Sequence, residues 1–149
     1  MEPVYKSVTN HEKLTAVYGR WPSFHDTEVV SIRMDRDAGA PFTGVQLTVT
    51  FHVFRIEVAP DDPARDNRLV TLVFRAAEQL SLRDFNHQNA IIDFVLSLGR
   101  SERLNADIFY IHLKQGFGVD LSFECRAIEV LSVEPFTPQW GAWARGSPG

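Results

Sequence analysis

The stretch that decides the fold is VQLTVTFHVFRIEV, residues 45–58. Its apolar side chains recur at every second position, and a first set shares one parity: Val45, Leu47, Val49, Phe51 and Val53. Because successive side chains of a strand point to opposite faces of a sheet, this alternation predicts a strand with one face in the core. After Val53 the apolar parity shifts by one residue, which predicts a β-bulge or a bend in the strand.

The same two-residue period flanks this stretch on both sides. In TEVVSIRMDRD, residues 27–37, it predicts that Val30, Ile32 and Met34 face the core. Downstream, strands are predicted over 68–77, 104–114 and 118–134, with a further strand within the ambiguous segment 78–99. Gln115–Gly118 contains two glycines and is typical of a hairpin turn. The parity shifts again near Ala127, which predicts a bend in the last strand.

One short helix is predicted before the strands, over TNHEKLTAVYG, residues 9–19. Thr9 and Glu12 have the spacing of a capping box, and Gly19 is typical of a residue that ends a helix. We therefore expect a mainly β (α+β) fold, an antiparallel sheet assembly of six to seven strands with one short N-terminal helix.

Residues 1–135 are expected to form this single domain, because the period is lost after Pro135. The segment 136–149 is rich in proline and glycine and is expected to be a partly disordered tail. Trp140 and Trp143 are unusual in a free tail, so part of it could dock on the domain.

Composition limits the classes of function. The chain has 149 residues and a net charge of −4, and it has no Lys/Arg cluster of the kind that binds nucleic acid. Cys125 is the single cysteine, so neither an internal disulfide nor a cysteine-rich zinc site is expected. No apolar run approaches the ~18 residues that a membrane helix needs, and the N-terminus lacks the apolar region of a signal peptide. A cytoplasmic protein without cofactor, metal or membrane contact is expected.

Two polar segments could carry chemistry. WPSFHDTEV, residues 21–29, contains His25, Asp26 and Glu28, and FNHQN, residues 85–89, contains Asn86, His87 and Asn89. If the segments meet in space, His25, Asp26, Glu28 and His87 could hold a divalent metal or act as an acid–base pair. In the alternative, the polar side chains bond to nearby backbone and shape loops, while Trp21 and Phe24 fill the gap between helix and sheet. A recognition patch is the third possibility.

Three stretches carry a family resemblance: GRWPSFHDTEVVSIRMDR, LSLRDFNHQNAIIDF and FGVDLSFECRAIEVLSVEP, at 19–36, 80–94 and 117–135. Together they resemble the immunity protein 50 family of bacterial polymorphic toxin systems, from about Leu14 to Pro135. The resemblance implies a small, mostly β, non-enzymatic cytoplasmic protein that binds and neutralises a cognate toxin protein. It identifies no toxin and assigns no catalytic residue.

The resemblance also suggests a role for an acidic loop. Many toxin domains are nucleases with basic active sites, so carboxylates could steer such a partner. Asp61, Asp62 and Asp66 are the candidates. Two other functions stay open: a small metal-dependent or acid–base enzyme that uses the four side chains above, and a structural module that pairs through its sheet edges, for example as a homodimer.

Overall fold

The computed structural model describes residues 2–37 and 44–138. One α-helix, α1 (Glu12–Tyr18), precedes seven strands: β1 (Glu28–Asp37), β2 (Gly44–Val53), β3 (Arg68–Arg83), β4 (Ile91–Ser101), β5 (Ala106–Gln115), β6 (Asp120–Cys125) and β7 (Ala127–Pro135). All pairings between these strands are antiparallel. The predicted mainly β, antiparallel fold with one short helix is confirmed.

The long strand β3 joins two sheets. Its first part, residues 68–77, lies between β2 and β7, and its last part, residues 78–83, pairs with β6, so that the strand order is β1-β2-β3-β6-β5-β4. We call β1, β2, β7 and the first part of β3 sheet A, and β4, β5, β6 and the last part of β3 sheet B. Ala76 and Gln79, at φ 56° and 58°, mark the bend between the two parts.

The two sheets share one core. Phe51 of β2 and Phe74 of β3 both contact Phe94 of β4, with ring centroids 5.8 and 6.4 Å apart. Cys125 has 1% of its surface exposed and lies on the buried face of β6. This layering explains why a period of two dominates the chain, since each strand buries one face against the opposite sheet.

Three strand predictions need correction. β3 continues six residues beyond the predicted end at Ala77, into the ambiguous segment. The parity shift after Val53 is neither a bulge nor a bend, because β2 ends at that residue. The shift near Ala127 separates two strands: β6 belongs to sheet B, β7 to sheet A, and Arg126 lies between them.

The predicted orientation of β1 is wrong at its start. The pairing with β2 skips one residue between Val29 and Ser31, so Val29 is buried while Val30 is 48% exposed. The bulge restores the predicted parity further on, where Ile32 and Met34 lie opposite the core residues Val49 and Leu47. Met34 is nevertheless 45% exposed, since β1 is the outermost strand of sheet A.

The capping box is also wrong. The N-cap of α1 is His11 and makes no side-chain cap bond. Thr9 forms backbone hydrogen bonds with β7 instead: its N–H donates to Ile128 O and its O accepts from Val130 N, both at 2.9 Å. The predicted C-terminal end is confirmed, because Gly19 ends the helix in the left-handed conformation at φ 76°.

Trp140 and Trp143 of the predicted tail lie outside the described residues. In the described ranges no helix is both long and apolar enough to cross a membrane.

Candidate functional site

WPSFHDTEV forms the corner between α1 and β1, and its rings continue into the core. Trp21 stacks on Tyr5 at 5.3 Å and contacts Phe24 at 5.7 Å between ring centroids. Phe24 is 2% exposed and touches Phe51 of sheet A at 5.6 Å and Phe94 of sheet B at 4.9 Å. The rings of Trp21 and Phe24 therefore connect Tyr5 to the core that the two sheets share.

The corner has an unusual backbone. Phe24 and Asp26 have φ values of 61° and 63°. Bulky side chains rarely adopt this region, and each such residue costs roughly 1–3 kcal/mol. The burial of the Phe24 ring offsets this cost, so the packing around the corner stabilises its unusual backbone conformation.

The polar residues of the corner have separate partners. His25 Nδ1 lies 2.9 Å from Ile92 O, whereas the Asp26 carboxylate is 60% exposed and lies 3.7 Å from His25 Nε2. Glu28 accepts a hydrogen bond from Asn89 N at 2.8 Å through Oε1. The two polar segments thus meet through Glu28 and Asn89.

Asn89 is the centre of the contact between the segments. Its side chain is buried, its Oδ1 accepts from Asn86 N at 2.9 Å and Val119 N at 3.1 Å, and its Nδ2 donates to Asn86 O at 2.7 Å. Its backbone O also accepts from Val29 N at 2.9 Å. Asn89 therefore ties the FNHQN loop to β1 through its backbone and to Val119, the residue before β6, through its side-chain amide.

His87 does not join this network. It is exposed, and none of the contacts above involves it. Among the described residues no group of three or more His, Cys, Asp or Glu side chains is placed to hold a metal ion. The convergence of His25, Asp26, Glu28 and His87 that the metal or acid–base hypothesis requires is thus not found in this part of the chain.

The acidic loop is anchored at two of its three carboxylates. Asp62 Oδ1 accepts from Ala64 N, and Asp66 Oδ1 pairs with Arg68 Nε, both at 2.8 Å. Asp66 O also accepts from the Tyr18 hydroxyl at 2.9 Å. Asp61 is exposed, and its carboxylate takes part in none of these bonds. It is the candidate with the most freedom to meet a partner.

Burial changes the protonation of two side chains that could carry chemistry. It raises the pKa of the Cys125 thiol to about 12, so the thiol stays protonated and is a weak nucleophile. It lowers the pKa of His52, which lies 2.7 Å from Asn67 Oδ1 through Nε2. Both groups are enclosed by the fold, which suits a structural role better than chemistry on a substrate.

Sequence reasoning missed one surface feature. An open cleft of about 450 Å³ lies beside β1, lined by Val30, Ser31, Ile32, Met34, Leu82 and Phe85. The two-residue period of β1 predicts that Val30, Ile32 and Met34 face the core, whereas all three line this cleft. The adjacent valines at 29 and 30 interrupt the period of two, and this is the signal that could have indicated a bulge and an exposed Val30.

The fold and the site together define a compact two-sheet β domain whose polar segments tie strands to one another and whose outer strand borders an open apolar cleft. The chain belongs to the immunity protein 50 family, whose family model matches residues 10–136. These are immunity proteins of polymorphic toxin systems. No curated protein matches the chain, and no solved structure does either.

Proposed function

We propose that this chain is a non-enzymatic, cytoplasmic immunity protein that binds one cognate toxin protein and blocks its activity in the producing cell. The observation that carries the proposal is the family match over residues 10–136, which includes α1 and all seven strands. The proposed unit is the single domain of residues 1–135, and it needs no cofactor.

Inhibition by binding is a matter of interface physics. Stable protein inhibitors bury ~1,600 Å² in total and depend on a few well-packed anchor residues. A net charge of −4 would favour a basic partner, and the exposed Asp61 is the best-placed steering residue of its loop. Steering of this kind acts on the association rate and weakens with salt.

The proposal predicts that a toxin is encoded beside this gene, and co-expression with that toxin domain tests it. Cells that express the toxin alone should stop growing, and cells that also express this chain should grow normally. A matched control co-expresses the chain with an unrelated toxin, from which it should give no protection. Loss of growth despite equal amounts of both proteins would contradict the proposal.

A further inference from the structure

Four large apolar side chains surround the cleft beside β1, which we call the edge slot. Val30, Met34, Leu82 and Phe85 are each 40–48% exposed, and Ser31 and Ile32 complete its lining. Met34 and Leu82 lie opposite the buried Leu47 and Leu121, so each belongs to the core-facing side of its strand. The slot is therefore a place where the apolar interior between the sheets reaches the surface.

The strand beside the slot has an open edge. β2 pairs with one side of β1 along its whole length. On the other side, the described bonds to residues 89–91 come from residues 26–29. In the described part of the chain no strand pairs with residues 31–37 on that side. Within the described ranges the backbone N–H and C=O groups of this edge thus lack a strand partner, and an extended segment of another chain can pair with such an edge.

None of the residues that line the slot is charged. Two arginines next to lining residues in the sequence are paired within the chain: Arg33 Nε lies 2.8 Å from Asp35 Oδ2, and Arg83 Nη2 lies 3.2 Å from Asp120 Oδ2. An approaching segment therefore meets uncharged, mostly apolar side chains inside the slot. Because an unpaired buried charge is costly, the segment that fits best is apolar and uncharged.

The slot alone is smaller than a complete interface. Four side chains at these exposures leave on the order of 300 Å² of apolar surface, whereas each partner of a stable complex buries ~800 Å². The slot therefore suits the anchor point of a larger interface, and the family match favours a toxin over a second copy as the partner.

We infer that the edge slot and the open edge of β1 bind an extended apolar segment of the toxin, which pairs with β1 and inserts a large apolar side chain between Met34, Leu82 and Phe85. This inference rests on the proposed function and adds the binding face to it. It gives a reason why four apolar side chains are exposed around one cleft.

The test compares Met34→Glu with Leu131→Glu in the full chain. Met34 and Leu131 lie on the two outer strands of sheet A and are 45% and 41% exposed, so the two substitutions are matched in chemistry and burial. Calorimetric titration of the purified toxin domain should give an affinity at least about 30-fold weaker for Met34→Glu, as for an interface hot spot. Leu131→Glu should bind within about threefold of the unchanged chain.

A second pair of variants controls for the possibility that Met34→Glu disturbs the folding of β1. Phe85→Ser changes an exposed loop residue of the slot, and Phe117→Ser changes an exposed residue of the turn between β5 and β6. Only Phe85→Ser should weaken toxin binding. Hydrogen exchange of the complex should also protect amides within residues 31–37, and no protection there would overturn the pairing with β1.

The outcomes separate this inference from the proposed function. If the unchanged chain fails to bind the toxin, the proposed function fails. If the unchanged chain binds while Met34→Glu and Phe85→Ser bind equally well, the inference fails and the proposed function stands. If the chain without toxin has the mass of a dimer, and if Met34→Glu converts this dimer to a monomer, the slot binds a second copy of the chain. Altered exchange in 139–149 alone would assign it to the chain's own C-terminal segment. Either result overturns the inference.

Discussion

At the scale of single residues, Asn89 is the most consequential polar side chain of the two segments. Replacing it with Ala would leave the N–H groups of Asn86 and Val119 without their acceptor, and the Val119 bond is buried. Each unsatisfied buried donor costs about 1–3 kcal/mol, so Asn89→Ala should lower the free energy of unfolding by roughly 2–4 kcal/mol. Urea denaturation measures this loss.

Asn86→Ala is the matched control. Asn86 is exposed, and its Oδ1 accepts from Gln88 N. Its removal should cost less than about 1 kcal/mol, because water replaces the lost partner. Equal losses for the two variants would contradict the central place of Asn89.

His52 sets a pH dependence of stability. Burial lowers the pKa of its imidazole and the Arg65 charge adds to this, whereas the bond to Asn67 acts in the opposite direction. The folded chain therefore keeps His52 neutral at a pH where the unfolded chain, with a pKa of about 6.5, takes up a proton. The stability that depends on neutral His52 is full above about pH 6.5 and is lost as the pH falls below this value towards the lower pKa of the folded state.

The contribution of His52 is isolated by His52→Gln, which can still bond to Asn67. Urea unfolding at about pH 7.5 and about pH 5.5 should show a smaller loss for the variant than for the unchanged chain. If the free energy of unfolding falls by the same amount in the two proteins, groups other than His52 cause the acid sensitivity.

At the scale of elements, sequence periodicity predicted which segments are strands but not where the chain changes sheets. In VQLTVTFHVFRIEV one face is buried, so the period is clear. The ambiguous segment was harder because its first six residues continue β3 while its last residues begin β4. The bends at Ala76 and Gln79 have no sequence signal of the glycine or proline type, since packing imposes them on ordinary residues.

The candidate site was predictable to a similar degree. Both polar segments are recognisable from their composition, and Asn89 is one of the candidate residues that they contain. The bond from Val119 N to the amide oxygen of Asn89 joins residues that are 30 positions apart in the sequence. A local sequence pattern contains no information about such a contact. The edge slot was missed because a one-residue bulge at Val30 alters which side chains are exposed.

The turn between β5 and β6 gives an element-scale prediction. Gly118 and Gly19 share a φ of 76°. A Cβ at Gly118 would lie 2.0 Å from Gln88 O and 2.6 Å from Asn89 Oδ1, whereas a Cβ at Gly19 would meet nothing within 4 Å. Gly19→Ala should therefore cost only the backbone strain of roughly 1–2 kcal/mol. Gly118→Ala should cost at least roughly 3 kcal/mol, because the Asn89 bonds are also displaced.

Thermal or urea unfolding of the two alanine variants checks this comparison. Because both glycines have the same φ, the backbone strain is the same in the two variants. The difference between their free energies of unfolding therefore measures the clash with the FNHQN loop. Equal stabilities would mean that the loop yields to the added methyl group at no cost.

At the scale of the whole molecule, the charge distribution makes a kinetic prediction. Asp61→Lys removes the exposed carboxylate of the acidic loop without breaking the bonds of Asp62 and Asp66. If the loop steers a basic toxin, stopped-flow mixing should show a slower association for the variant at low salt, and the difference should shrink as salt is added. An unchanged association rate at all salt concentrations would remove the loop from the recognition mechanism.

The central claim is that this chain neutralises its toxin by binding it, and the most direct measurement is a titration of purified toxin activity with the purified chain. Inhibition by binding predicts that the activity falls linearly and reaches zero when the two proteins are equimolar. Toxin that keeps its activity in excess immunity protein would contradict the claim. Complete inactivation by far less than one equivalent would contradict it as well, because that result requires turnover and hence an enzyme.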